Sequence, residues 1–335
     1  MAAPLVVMKF GGTSVGDAER MRTVADYIAR TVRRGNRVVV AVSAMGKETD
    51  DLLHLAAQVS GTHPGREMDM LIPAGERKAM ALLCMALHDI GVPSASFTGS
   101  QAGIITDTEH TKAKIVDIRA DRIQAALDEG RVAVVGGAQG VSTDREVTFL
   151  GRGGTDTTAV ALAARLGADR CEILTDVEGV FTADPRVVPD ARLLPVIGYE
   201  EMLELAQQGA QVMQTRAVEL GWVNGVVIAV RSTFSNHPGT LIREDPLVEQ
   251  RNKVRGLATD RHVAKVTLVG VPDRPGVAHA VFAPLADASI NVDMIVQNVG
   301  HAGTTDRSFT SPSVDLARAD RLLEAIRREL GAAEV

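Results

Sequence analysis

"LVVMKFGGTSV", Leu5–Val15, decides how the rest of the chain is read. Three apolar residues and a methionine run into Lys9, then Phe10, two glycines, Thr13, Ser14 and Val15. The apolar run predicts a buried strand. Paired glycines after such a strand let the backbone approach a ligand closely, with N–H groups turned toward it. The next stretch, "DAERMRTVADYIARTV", places Met21, Val24, Ala25, Ile28 and Val32 at helical spacing. A helix after the turn adds the positive end of its dipole, and Lys9 adds a mobile point charge. Together these suit an anion, phosphate being the usual one. A tight strand–helix turn with a solvent-facing lysine is the plainer alternative. Neither a Walker loop nor a G-x-G-x-x-G fingerprint occurs in the chain.

The same alternation continues outward. "RVVVAVSAM", "RVAVVGGAQG", "CEILTDV" and "GVVIAVRSTF" read as buried strands, and "REMDMLIPAGERKAMALLCMALHDIG", "TDTTAVALAARLG", "YEEMLELAQQG" and "QTRAVELGWVNG" as helices. This predicts an α/β domain over residues 1–234, with a mostly parallel sheet and helices on both faces. Residues 235–260 mix Pro, Gly and charge and read as a linker. Residues 261–335 repeat the alternation as β-α-β-β-α, a small α+β unit one strand short of a ferredoxin-like fold. No internal repeat interrupts this order.

Composition narrows the function classes. The 335 residues exceed one ordinary core and point to two domains. Net charge is −6, and the densest basic stretch, "RTVRRGNR", reads as a solvated helix end rather than a nucleic-acid surface. No apolar run is long enough to span a membrane, and no basic-then-apolar leader opens the chain, so a cytoplasmic protein is expected. Cys84 and Cys171 sit in apolar runs without metal-ligand spacing and are expected as reduced core residues. The eight histidines show no paired spacing on a helix, so no protein metal site is expected. Met68, Met70, Met80 and Met85 are expected to pack in the core.

A second glycine loop, "LGRGGTDTTA", sets Arg152 before two glycines and a helix expected to be capped by Thr155 or Asp156. Arginine beside exposed N–H groups can grip a carboxylate with two parallel bonds. Two such loops suggest two anionic ligands meeting over one sheet edge. A third loop, "TDVEGVFTADPR", is too polar for a core. Its acids suit the neighbourhood of a metal–nucleotide or ordinary turns.

"KFGGTSV", "VSAMGKETDDLL", "SFTGSQAGIITD", "LGRGGTDTTAVALAA" and "TDVEGVFTADPR", in this order, resemble the aspartate kinase family, which has the amino-acid kinase fold. "KVTLVGVPDRPGVAHAVFAPLADASINVDMIVQN" looks like that family's first ACT regulatory domain. The resemblance implies MgATP-dependent phosphorylation of the side-chain carboxylate of L-aspartate, the entry to lysine, threonine, methionine and diaminopimelate synthesis. ATP and Mg²⁺ are the cofactors it implies. It assigns catalytic roles to Lys9 and Asp156, with Lys9, Gly11 and Gly12 at the transferring phosphoryl group. Ser43, Thr49, Glu76, Arg152, Gly153 and Thr155 would line the aspartate site, Glu76 taking the amine and Arg152 the α-carboxylate. Thr175, Asp176, Phe181 and Arg186 would stand on the nucleotide side. Asp273, Gly276, Asn291, Asp293 and Gln297 would form an amino-acid effector site. A homo-oligomer through the ACT unit is expected, with no nucleic-acid or membrane partner.

Four features depart from the family pattern. Gln211 replaces a lysine that contacts ATP phosphates, and Arg216, five residues on, is a candidate substitute. Ala138 replaces a phenylalanine. Pro73 and Lys78 stand where small or hydroxylated residues are usual. The chain ends after one ACT unit, whose sheet is expected to keep an open edge, and Arg307 stands in it where an apolar residue is common. These departures keep two alternatives open: a same-fold kinase for another small carboxylate, and a catalytically impaired binding or regulatory homologue.

Overall fold

The computed structural model describes residues 3–210, 212–244, 254–260, 262–288, 290–298 and 303–335. Gln211 lies outside them. The chain divides into two compact units, Met1–Thr259 and Asp260–Val335.

In the first unit the order is β1 (Leu5–Phe10), α1 (Ala18–Arg33), β2 (Arg37–Val42), α2 (Glu48–Val59), α3 (Gly65–Leu71), α4 (Ala74–Asp89), β3 (Ser94–Phe97), β4 (Ile104–Thr106), β5 (Ile115–Ile118) and α5 (Asp121–Asp128). There follow β6 (Val132–Gly136), β7 (Gln139–Ser142), β8 (Val147–Phe149), α6 (Gly154–Leu166), β9 (Arg170–Thr175), β10 (Val196–Ile197), α7 (Tyr199–Gln207), α8 (Thr215–Val223), β11 (Ile228–Ser232) and β12 (Thr240–Ile242).

The strands expected from the apolar runs form the middle of one sheet, ordered β10-β12-β11-β9-β1-β2-β6-β3. Its pairings are parallel except β11 with β12. Alternation splits each strand between two cores. Val7, Val39, Ala41, Val135 and Ile173 face α5, α6, α7 and α8, while Val6, Met8, Phe10, Val40 and Val134 face α1 and α4. The latter core fixes α1 through Met21, Val24, Ala25 and Ile28, the helical stripe read from sequence. Asp17 caps α1 by accepting from the Arg20 N–H at 2.8 Å.

Three features refine or go against the expectations. The long stretch before residue 90 is two helices, α3 and α4, parted at Ile72–Pro73; Pro73 stands at the N-cap of α4, where its missing N–H costs nothing. Met68 and Met80 are buried, but Met70 and Met85 are 43% and 60% exposed. β4, β5, β7 and β8 form a separate small sheet, ordered β5-β4-β7-β8, whose strands of three or four residues carry too little periodicity to be read. Cys84 and Cys171 are buried free thiols, as expected, and burial pushes both upward in pKa.

The second unit has β13 (Val263–Pro272), α9 (Val277–Asp287), β14 (Ile295–Gln297), β15 (Thr304–Pro312) and α10 (Leu316–Leu330), the expected β-α-β-β-α order. Its antiparallel sheet runs β13-β15-β14. Val266, Leu268, Val281, Leu285, Phe309, Leu323 and Ile326 form its core. The open edge is not bare. Glu334 bridges Val269 on the free side of β13, with Val269 N–H donating to Glu334 at 3.0 Å and Ala333 N–H to Val269 at 2.8 Å. Arg307 is buried on β15 opposite Leu268 and Gln297. No helix among the described residues is long and apolar enough to cross a membrane.

Candidate active site

Parallel strands end together, so β1, β2, β6 and β9 deliver their following turns to one edge of the sheet. Lys9 is the last residue but one of β1, paired in register with Ala41 of β2 and Ile173 of β9. After it, Gly11 N–H donates to Leu174 at 3.4 Å and Ser14 N–H to Gly11 at 3.0 Å, closing a one-turn 3₁₀ segment, Gly12–Val15. Gly12 is tightly packed: a Cβ would stand 3.0 Å from the carbonyl oxygens of Ala44 and Gly46, and both would have to give way to admit it. Gly46 N–H donates back to Gly12 at 3.0 Å. The turn after β2 and the turn after β1 are therefore one packed unit.

Across from it, β6 and β8 lead into α6. Thr155 and Asp156 are not its cap. Gly153 holds that place with φ +71°, a left-handed conformation that glycine adopts without strain, and Thr155 and Asp156 lie inside the first turn. Asp156 reaches back to Lys9, with Oδ1 2.8 Å from Nζ and without the alignment of a hydrogen bond. Both side chains are nearly buried. Ser43 donates to the Thr155 hydroxyl at 3.0 Å. Gly137 after β6 faces Thr155 so closely that any Cβ there would overlap it. Lys9, Ser43, Thr155 and Asp156 thus meet, although 147 residues separate the ion pair in the chain (156 minus 9).

Glu76 sits in the first turn of α4, 3% exposed, with Oε2 unpartnered. Burial pushes its carboxyl up to about 7, against the pull of the Glu76 and Ala44 N–H groups and with a further push from Glu48. A buried acid with an empty oxygen is built to receive a cation. Glu48 is itself held by Lys78, Nζ to Oε1 2.6 Å, which accounts for Lys78. Thr49 lies one residue on, in the first turn of α2. Arg152 is exposed beside Gly153 and, among the described residues, has no carboxylate partner.

The nucleotide-side residues are less gathered. Thr175 ends β9 and donates to Asp176 Oδ1 at 3.1 Å. Phe181 bridges Leu193, and Arg186 is spent on Asp184 at 2.8 Å. In the second unit, Asp273 and Gly276 stand at the turn into α9, Asn291 and Asp293 lead into β14, and Gln297 ends it.

Sequence reasoning missed the brace behind the second glycine loop. Arg216 of α8 donates to the Leu150 carbonyl at 2.8 Å and the Ala113 carbonyl at 3.1 Å. Its charge is spent on the loop rather than standing in for a phosphate-binding lysine. A Cβ on Gly153 would fall inside the Gln214 side chain. The fully buried Asp69 holds the neighbouring turn, accepting from Thr111 N–H at 2.9 Å and pairing with His110 Nδ1 at 2.7 Å. Ala138, at φ +56°, packs its Cβ against Gly154 and accepts from Leu150 N–H at 2.8 Å, so the smaller residue leaves no gap there.

Residues 4–230 match the amino acid kinase family and residues 265–331 the ACT domain. The chain is 53% identical over 331 residues to the aspartokinase of Corynebacterium efficiens, covering 97% of this chain and 78% of that one. It is 49% identical over 333 residues to the aspartate kinase of Pseudomonas putida, covering 99% of this chain and 81% of that one. Among solved structures, aspartate kinase from Synechocystis superposes with TM-score 0.66 at 44% identity, over 97% of this chain and 56% of that chain. E. coli aspartokinase III, in complex with aspartate and ADP, superposes with TM-score 0.76 at 24% identity, over 97% of this chain and 83% of that chain. The glycine loops, the Lys9–Asp156 pair and these likenesses agree: the chain belongs to the amino acid kinase family, and within it to the aspartokinases.

Proposed function

We propose that the chain transfers the terminal phosphoryl group of ATP to the side-chain carboxylate of L-aspartate. The Lys9–Asp156 pair between two glycine loops carries this reading. An ionised carboxylate is already a nucleophile, so the reaction needs no general base. The obstacle is an anion approaching an anion. Positive charge and positioning must lower it. Lys9 Nζ and the Gly12 N–H are the donors for charge that develops on the moving phosphoryl group, while Gly11, whose N–H is given to Leu174, serves by letting the phosphates come close. Asp156 fixes where Nζ stands, and the N-terminus of α6 adds a favourable dipole. Glu76, once ionised, takes the substrate ammonium, and Arg152 takes the α-carboxylate with Gly153 and Thr155 beside it. Ser43 and Thr49 complete the acceptor side, and Thr175, Asp176, Phe181 and Arg186 the nucleotide side.

Among the described residues no group of three or more His, Cys, Asp or Glu stands ready to hold a metal ion. Mg²⁺ belongs to this reading as the ion carried by the nucleotide's own phosphates, where it would neutralise phosphate charge. Pairing of two copies through the second unit and an amino-acid effector at Asp273, Gly276, Asn291, Asp293 and Gln297 belong to the same reading. The exposed Met294, Ile295 and Val296 along β14 support the pairing.

The test is ATP turnover with L-aspartate, trapping the acyl phosphate with hydroxylamine, on the chain and on Gln211→Lys. Hydroxamate from the unmodified chain is the expected result and shows that Gln211 suffices. Product from Gln211→Lys alone means an aspartate site lacking one charge. No product from either overturns the aspartate assignment.

A further inference from the structure

The basic stretch that ends α1 plays no part in the phosphoryl-transfer reading. Its surroundings give it another. On the sheet face where β1 shows Met8 and Phe10, the register brings Glu172 of β9 beside Met8 and Arg231 of β11 beside Leu174. Arg170 shares that face two residues before Glu172. These side chains and Tyr27, Arg30 and Arg34 of α1 and its end enclose a cavity of about 70 Å³. None of the glycine-loop residues lines it.

Glu172 is the sole carboxylate in that lining and is 1% exposed. It pairs with Arg170 Nε at 2.7 Å and Arg231 Nη1 at 3.3 Å, and accepts from the Tyr27 hydroxyl at 3.3 Å. Burial, and next the Glu172 charge, push the Tyr27 hydroxyl up to about 12, which keeps it a donor. Four guanidinium groups therefore face one carboxylate. A self-contained buried ion network closes with its charges matched and its donors satisfied. This one does not. Arg231 Nε is buried without a hydrogen-bond partner. Arg30 lies over the Tyr27 ring at 5.6 Å, and neither it nor Arg34 has a carboxylate partner among the described residues. The α1 C-terminal dipole explains cations at positions 30 and 34, but not the unsatisfied Arg231 on a different element.

We propose that this cavity is a second anion site, which takes a phosphate group, free or carried on a small metabolite. Guanidinium groups converging from a helix end and two strands match the several oxygens of a phosphate, each able to accept more than one bond.

The experiment is a thermal-shift and calorimetric titration of the full chain with inorganic phosphate and, separately, with glycerol 3-phosphate, against chloride at equal ionic strength. It is run on the unmodified chain, on Lys9→Met and on the double variant Arg30→Ala/Arg34→Ala, whose side chains are exposed at a helix end. Phosphate binding that survives Lys9→Met and weakens about tenfold in the arginine double variant is expected. Equal binding of glycerol 3-phosphate identifies a carried phosphate, and binding of inorganic phosphate alone identifies the free ion. Binding lost in Lys9→Met places the phosphate at the glycine loops and overturns the proposal. So does binding that the arginine double variant leaves unchanged, or a response no larger than that to chloride. Because the readout is binding, the result stands apart from whether aspartate is the phosphoryl acceptor.

Discussion

The two glycine loops look alike in sequence and lean on different supports. The first, after β1, is held mainly by backbone, Gly11 on Leu174, Gly46 on Gly12 and Ser14 on Gly11, with side-chain bonds from Arg20 to the Thr13 carbonyl and between the Ser14 and Thr233 hydroxyls at its far end. Its glycines are there for closeness, since carbonyls press on Gly12. The second, before α6, adds to its backbone bonds, Leu150 on Ala138 and Gly154 on Gly151, a brace of side chains from far along the chain: Arg216 on Leu150 and Ala113, Gln214 against Gly153. Its Gly153 is there for a left-handed turn. A loop made of backbone fails when anything is added to it. A loop propped by side chains fails when something distant is taken away. The Lys9–Asp156 ion pair joins the two, and the predictions separate what each contributes.

Lys9→Met breaks the join. Activity is expected to fall about 10²- to 10³-fold, as for loss of one donor to a developing anion, with some fall in the melting temperature because Asp156 is left buried without its cation. Steady-state kinetics and a thermal melt on the same preparation check it. A loss of stability with most of the turnover kept would mean that the ion pair is structural.

Glycine substitutions come next and should divide the loops. Gly12→Ala forces two backbone carbonyls to move, with an expected stability cost of about 1–3 kcal/mol and no partner variant that relieves it. Gly153→Ala carries the left-handed strain of about 1–2 kcal/mol and the clash with Gln214. Gln214→Ala in the same chain is expected to recover the clash but not the strain. Denaturant unfolding of the three variants measures this. Full recovery would show that the turn conformation itself costs nothing.

Removal of the brace ranks third. Arg216→Ala leaves the Leu150 and Ala113 carbonyls without their donors, and kcat/KM for the acceptor is expected to fall between about tenfold and a hundredfold. Because Arg216 acts through the loop, the loss should appear chiefly in the KM for the carboxylate substrate. Arg216→Lys, which keeps one donor, should recover part of it. An effect confined to the KM for ATP would instead make Arg216 a phosphate ligand.

What was legible in the sequence follows the same division. β1, β2, β6, β9 and β11 were readable because their apolar runs are continuous, and α1 because its stripe is regular. The first glycine loop was readable because its glycines and lysine follow one another directly after an apolar run, although its partners Leu174 and Thr233 are distant and were not. The brace was not: Arg216 and Leu150 are 66 residues apart, and no local pattern marks an arginine for a carbonyl. Nor was the cap of α6. Thr155 and Asp156 are good capping residues by type, yet Gly153 took the cap because the loop needed a left-handed turn there, which freed Asp156 to face Lys9. α2 was missed because it buries no side chain and so shows no face.

The smallest expected effect is on the first loop's side and needs no mutation. Glu76 packs near Ala44, whose carbonyl also crowds Gly12. Its carboxyl is raised to about 7 chiefly by burial. A carboxyl with a raised pKa is neutral below that value, and a neutral carboxyl gives a substrate ammonium no charge to pair with. The KM for the amino-acid substrate should therefore rise as pH falls through about 7, by up to about tenfold between roughly pH 8 and pH 6, while kcat changes less. Glu76→Gln should raise KM at every pH and flatten this dependence, because nothing is left there to titrate. Retention of the full pH dependence in Glu76→Gln would move the titrating group elsewhere. Lys78→Met sharpens the point further. It unbinds Glu48, whose charge then pushes harder on Glu76, so the rise in KM should begin at a higher pH. A shift in the other direction would mean that Lys78 acts on the substrate directly rather than through Glu48.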